Sequence, residues 1–132
     1  MIATGGTIAS KETEEGLTPA ISSEELLSCV PEVASVCDVA AVQPFNLDST
    51  NVYAPHWLKI AEIIEDNYNL YDGFVVTHGT DTMAYTAAAL SYLIQGSRKP
   101  IVLTGSQKSV YSRDTDARRN LADAFLFCAD ER

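Results

Sequence analysis

Short apolar runs and longer stretches of mixed polarity take turns along this chain. Met1–Ala3, Val36–Val42, Phe74–Thr77 and Ile101–Thr104 are the short runs, of strand length; only the first is cut to a stub. Between them the apolar residues recur at helical spacing. Ser22-Ser23-Glu24-Glu25 forms an S-x-x-E capping pattern before Leu26 and Leu27, which predicts a helix to about Cys29, stopped by Pro31. Pro55 suits a first helical turn, and Trp57, Ile60, Ala61 and Ile64 follow as one apolar stripe as far as Asn67 and Asn69. From Thr82, the positions Ala84, Ala87, Ala88, Ser91 and Ile94 keep helical spacing up to Gly96, a natural stop. The last helix is predicted over Thr115–Ala129, burying Ala117, Leu121, Ala124, Phe125 and Cys128.

Strand and helix thus alternate four times. Crossovers that carry helices make neighbouring strands parallel and cover both faces of the sheet. The expected fold is α/β, a flavodoxin- or Rossmann-like three-layer domain with a parallel sheet, helices on both faces and a truncated first strand. One segment breaks the pattern. Ala9–Ile21 has no apolar period, and a polar connection this long is expected to be a flexible lid over whatever lies behind Thr7.

Composition narrows the partners. With 132 residues, 46% of them hydrophobic, the chain holds one core and one domain. Nine basic against eighteen acidic residues leave a net charge of −9, which repels phosphate backbones and anionic lipid, so no nucleic-acid or membrane partner is expected. No stretch has the length of a membrane span, and Met1 runs straight into Thr4-Gly5-Gly6 without a secretory leader, so the expected location is cytoplasmic. Cys29, Cys37 and Cys128 are odd in number and widely spaced, which predicts reduced, buried thiols.

The candidate chemistry sits behind the strand-like runs. Thr4-Gly5-Gly6-Thr7, Asp48-Ser49-Thr50, Thr77-His78-Gly79-Thr80-Asp81-Thr82 and Thr104-Gly105-Ser106-Gln107 all bring hydroxyls or glycines to what would be the carboxyl edge of one sheet, where open α/β folds bind ligands. Glycines there let backbone N–H groups approach an anion or oxyanion. Thr7 and Thr80 suit a nucleophile and its partner, and Asp81 an anchor for a ligand ammonium. The plainer alternative for Thr80 and Asp81 is a helix cap. His78 is expected to shape its turn, His56 to be solvated, and Tyr85, Tyr92 and Tyr111 to hold their hydroxyls at the surface. Lys108 is a candidate base at the site edge. Arg113, Arg118 and Arg119, interleaved with Asp114 and Asp116, suit a solvated helix start or a subunit contact.

Ala3-Thr4-Gly5-Gly6-Thr7-Ile8-Ala9-Ser10 resembles the amino-terminal signature of the L-asparaginase family, and Asp72-Gly73-Phe74-Val75-Val76-Thr77-His78-Gly79-Thr80-Asp81-Thr82-Met83 resembles its second signature. Asn46-Leu47-Asp48-Ser49-Thr50 and Pro100–Gln107 are similar to further family segments, and the Leu-Asp-Ser-Thr form is closer to the cytoplasmic, type I branch. The resemblance implies hydrolysis of asparagine to aspartate and ammonia, with Thr7 as the nucleophile and no cofactor or metal. It implies that Thr80 belongs to a second hydroxyl group coupled to a lysine, that Asp81 holds the substrate's α-ammonium, and that Ser49, with Asp48 and Thr50 nearby, meets its α-carboxylate. Leu17 stands where the family commonly has a lid tyrosine.

The resemblance further implies that residues 1–132 are an incomplete amino-terminal domain. The family lysine and a smaller carboxyl-terminal domain would lie beyond Arg132, and the parent would be a homodimer or homotetramer acting on a free amino acid. The fragment alone is then expected to be inactive or nearly so. Two alternatives stay open: the glutaminase-type subunit of a tRNA-dependent amidotransferase, and a non-catalytic α/β module that binds a ligand at a Gly-rich turn. Neither G-x-G-x-x-G nor G-x-x-x-x-G-K-[ST] occurs in the chain, which counts against the second.

Overall fold

Period-2 alternation in one central strand organises the whole molecule. In the computed structural model, which describes residues 1–14 and 16–130, β1 (Ile2–Ala3), β4 (Phe74–Thr77) and β5 (Ile101–Thr104) form a parallel sheet in the order β1-β4-β5. Ile2 pairs with Val76 and Ala3 with Thr77, while β4 and β5 run in register from Phe74↔Ile101 to Thr77↔Thr104. Successive side chains of a strand point to opposite faces. Val75 therefore joins a core with Ile8, Leu26, Val110, Leu121 and Phe125, whereas Phe74 and Val76 join a second core with Ile2, Ile60, Ile64 and Leu90. Helices α1 (Ser23–Ser28) and α4 (Ala117–Cys128) cover the first face, and α2 (Ala54–Asn67) and α3 (Met83–Leu93) the second. The expected open α/β architecture with a parallel sheet and helices on both faces is what the chain adopts.

Helix caps explain several boundaries. Ser22 is the N-cap of α1, its Oγ accepting the Glu25 N–H at 3.1 Å, as the S-x-x-E pattern predicts. Pro55 lies in the first turn of α2, and Ile60 and Ile64 on its inner stripe are wholly buried, each contributing about 1.5–3 kcal/mol. His56 is not solvated as expected: its Nδ1 accepts the Tyr53 N–H at 3.2 Å, and its ring stands edge-on to Phe45 and Tyr53. The start of a helix has donors to satisfy, and an imidazole three residues in reaches one.

Three expectations need correction. Val36–Val42 is no strand: a 3-10 turn at Pro31–Ser35 precedes it, and only isolated bridges, Ile2↔Val42 and Gly5↔Leu47, carry the sheet outward past β1. A two-residue β1 offers too short a ladder to hold a long neighbour. Ala9–Ile21 is not a plain connection: it holds an antiparallel hairpin, β2 (Ser10–Thr13) with β3 (Gly16–Pro19), running from Ser10↔Pro19 to Thr13↔Gly16. Apart from the buried Ser10, the residues of its two strands are exposed or half-buried, so no apolar period marks it. Finally, α3 buries Thr86 and Leu90, while Ala84, Ala87, Ala88 and Ser91 are not buried. A helix with apolar residues all round, and no charge anywhere in it, gives no readable inner face. The three cysteines are free, but half-buried.

Candidate active site

Close glycine contacts draw the loops together at the carboxyl edge of the sheet. Gly6, at φ 78°, lies so close to the loop after β4 that a Cβ on it would stand 2.4 Å from the Gly79 Cα. A Cβ on Gly79 would stand 2.6 Å from the Ser49 Oγ, and one on Gly5 2.5 Å from the Leu47 backbone. Backbone bonds lock this arrangement: Leu47 N–H donates to the Thr4 carbonyl at 2.9 Å, and Gly6 N–H to the Leu47 carbonyl at 2.9 Å. The Thr4 hydroxyl donates to the Thr77 carbonyl at 2.8 Å. Thr7, Ser49, Thr80 and Asp81 consequently emerge from neighbouring backbones on one edge.

What these four residues do with their polar groups differs. Ser49 is buried, and its carbonyl accepts the Thr82 hydroxyl at 2.7 Å. Asp48 accepts both the N–H of Thr50, at 2.9 Å, and its hydroxyl, at 2.7 Å, and the hydroxyl above all holds its carboxyl below the usual carboxylate range. Thr7 opens a 3-10 turn (Thr7–Ala9) and is half-buried, as is Thr80, while Asp81 is exposed. The Thr7 and Thr80 hydroxyls and the Asp81 carboxylate have no hydrogen-bond or ion-pair partner among the described residues. The N-cap of α3 is Thr82, whose hydroxyl goes to Ser49, so neither Thr80 nor Asp81 serves as the cap.

The loop after β5 closes the side of this edge. Ser106 is buried, and its hydroxyl donates to the Lys108 carbonyl at 2.5 Å. Asp116 accepts the N–H groups of Gln107 at 3.0 Å and Lys108 at 3.2 Å, chiefly the former depressing its pKa, and Asn120 donates to the Gly105 carbonyl at 3.0 Å. Lys108 is engaged by Asp114 in an ion pair and so is not a free base. Among the described residues no cluster of His, Cys, Asp and Glu side chains has the makings of a metal site.

Sequence reasoning missed a buried chain behind the site. His78 is fully buried; its Nδ1 lies 2.8 Å from the Gly79 carbonyl, its Nε2 2.9 Å from the Thr86 hydroxyl, and the Trp57 indole N–H donates to that same hydroxyl at 3.0 Å. Burial holds the imidazole pKa below its usual value, so it is neutral at pH 7. A polar Thr86 inside an uncharged helix was the available signal. A sizeable cavity, about 980 Å³, lies elsewhere, at the amino edge between Met1, Cys37, Phe74, Pro100 and Cys128. The hydroxyl clusters lie at the other end of the strands.

Comparison with known proteins bears on this edge. Residues 1–132 match the family description "Asparaginase, N-terminal". The L-asparaginase of Thermococcus kodakarensis is 40% identical over 132 residues, covering 96% of this chain and 39% of the relative. A glutamyl-tRNA(Gln) amidotransferase subunit from Pyrococcus abyssi is 46% identical over 124 residues, covering 92% of this chain and 28% of the relative. Among solved structures, a probable cytoplasmic L-asparaginase from Campylobacter jejuni superposes with a TM-score of 0.88 at 34% identity, covering 98% of this chain and 39% of that one. The chain thus spans well under half the length of the relatives it matches.

Proposed function

This chain belongs to the asparaginase family of amidohydrolases, and from that premise we propose that the protein hydrolyses free L-asparagine to L-aspartate and ammonia at the edge where Thr7, Thr80 and Asp81 emerge. The observation that carries the reading is the idleness of those three side chains. The side chains of Thr4, Asp48, Thr50 and Thr82 around them are bonded within the fold, while two hydroxyls and one carboxylate, carried by backbones that meet at Gly6 and Gly79, are left for something else. Thr7 Oγ1 attacks the side-chain amide carbon, and its proton passes to an acceptor. The nitrogen leaves as ammonia, an ester to Thr7 remains, and water cleaves that ester to aspartate. Asp81 binds the α-ammonium. Ser49 meets the α-carboxylate; Asp48 and Thr50 stand nearby and, with both Thr50 donors on the Asp48 carboxylate, shape that turn. Fixing both ends of the amino acid is what places its amide against Thr7.

The proton acceptor comes from outside these residues. Lys108 is paired with Asp114, and His78 is buried with both ring nitrogens in use. We place the base, a lysine coupled to Thr80, in a further domain of the complete gene product, which acts in the cytoplasm as a homo-oligomer. No described helix is long and apolar enough to cross a membrane. Needing neither metal nor cofactor, the reaction is tested by ammonia release from asparagine in the complete product, with and without Thr7→Ala. Loss of release in the variant is expected, and undiminished release rejects Thr7 as nucleophile.

A second reading has its own support. Relatives named as glutamyl-tRNA(Gln) amidotransferase subunits reach 44% and 46% identity, above the 40% of the asparaginase relative. On that reading the same hydroxyls release ammonia from glutamine for a partner protein. Comparing asparagine with glutamine as the sole substrate separates the two: preference for asparagine without tRNA or partner supports the first.

A further inference from the structure

His78 is the one fully buried imidazole beside the reactive edge, and its hydrogen-bonded chain has only one consistent direction. The Gly79 carbonyl only accepts, so Nδ1, 2.8 Å away, carries the ring hydrogen. The Trp57 indole only donates, so the Thr86 oxygen takes that hydrogen at 3.0 Å and turns its own toward Nε2 at 2.9 Å. The result is a one-way chain from Trp57 through Thr86 and His78 to the Gly79 carbonyl.

That carbonyl belongs to the peptide joining Gly79 to Thr80. In a trans peptide the C=O and N–H point in opposite directions, and no peptide among the described residues is cis. Holding the Gly79 oxygen against the imidazole therefore turns the Thr80 N–H away from it, and this N–H has no partner among the described residues. The turn has little freedom to choose otherwise: Gly79 is wedged between Gly6 and Ser49, and a Cβ on Gly105 would meet the His78 carbonyl at 2.3 Å.

We propose that His78 is a positioning residue, locked as its Nδ1–H tautomer by Thr86 and Trp57, which by gripping the Gly79 carbonyl aims the Thr80 N–H at the amide under attack. A donor fixed in advance stabilises the negative charge that develops on the amide oxygen without reorganising at the moment of reaction. The kinetic half of this inference rests on the reading of the edge as an amidohydrolase site; the tautomer lock does not.

The test pairs two substitutions that each keep one end of the imidazole. Asparagine places an amide N–H near the position of Nδ1, and glutamine reaches the position of Nε2. In the complete gene product, His78→Gln is expected to lower kcat for ammonia release at least about tenfold with KM changed less than about threefold, and His78→Asn to stay within about threefold of the unsubstituted enzyme. Equal activity of the two variants overturns the positioning role, as does a loss confined to KM. Nitrogen-15 NMR of the imidazole in the unsubstituted protein is expected to show a protonated Nδ1; a protonated Nε2 overturns the lock whatever the site does. If His78→Gln does not fold, Thr86→Val against Thr86→Ser makes the same comparison, with loss of kcat expected only for the valine. Ammonia release that survives Thr7→Ala sinks the site reading and the kinetic half with it, leaving the tautomer to judge the lock alone.

Discussion

Gly6 and Gly79 touch backbone to backbone, each one residue before a threonine of the candidate site. Because Gly6 sits at φ 78° and a Cβ there would lie 2.4 Å from both the N and the Cα of Gly79, alanine is excluded twice, by conformation and by space. Strained backbone and overpacking each cost about 1–3 kcal/mol. Gly6→Ala is expected to destabilise the protein by about 2–5 kcal/mol and to spread Thr7 from Thr80. Chemical denaturation measures the first effect, and a variant within about 0.5 kcal/mol of the parent contradicts the packing.

The side chains that follow those glycines should behave in the opposite way. Thr7, Thr80 and Asp81 make no side-chain bonds within the described structure, so Thr7→Ala, Thr80→Val and Asp81→Ala are expected to leave stability within about 0.5 kcal/mol. Activity should separate them. Both threonine variants abolish ammonia release from asparagine, whereas Asp81→Ala mainly raises KM and reduces the disadvantage of a substrate that lacks its α-amino group. Steady-state kinetics on the complete gene product, beside denaturation curves, gives both readouts.

Acid should loosen the fold through His78. Its folded pKa lies below the ordinary 6.5, so above pH 6.5 the imidazole is neutral in both states and its contribution is fully present. As pH falls from 6.5 toward the folded value, the unfolded chain takes up the proton first and stability declines. Urea midpoints measured from about pH 7.5 to about 5.5 should fall in the parent and flatten in His78→Asn. A parent curve that is level over that window rejects the buried neutral imidazole.

The hairpin is latched by a shared oxygen. Lys11 on β2 lies 2.8 Å from Glu25 Oε1 of α1, and the Tyr111 hydroxyl donates to that same oxygen at 2.5 Å. The bond to Glu25 pushes the Tyr111 phenol up to about 12. Stability from this contact is therefore present below the ordinary phenol value of 10 and is lost as pH rises through about 12. In Glu25→Gln the highest phenol ionisation, followed by ultraviolet absorbance, should move down toward 10, and trypsin should cleave after Lys11 faster. Unchanged titration would show that another group holds Tyr111.

The polypeptide of residues 1–132 by itself is expected to release ammonia slower than the complete product by about two to four orders of magnitude, the usual worth of general acid–base help. Neither Lys108 nor His78 is free to take a proton from Thr7. A side-by-side ammonia assay checks this, and comparable turnover would place the base within these residues.

Local chemistry made much of this protein legible in one dimension. Ser22 with Glu25, Pro55 with Ile60 and Ile64, and the β-branched runs at Phe74–Thr77 and Ile101–Thr104 declare their elements through caps and periods that act over a few residues. Glycines and hydroxyls behind those runs marked the reactive edge for the same reason, since a strand end followed by a tight turn is a local event. Three features depended on distant partners. Whether Val36–Val42 forms a strand turned on the length of β1, which face of α3 is buried on Trp57 and His78, and how the polar Ser10–Pro19 segment orders on its own cross-strand pairing. Closest to function, nothing along the chain shows that His78 reaches Trp57 through Thr86 or that Gly6 meets Gly79. Trp57 and Thr86 stand 29 positions apart, and Gly6 and Gly79 farther still, so only the packed sheet and helices bring them within hydrogen-bonding or van der Waals reach.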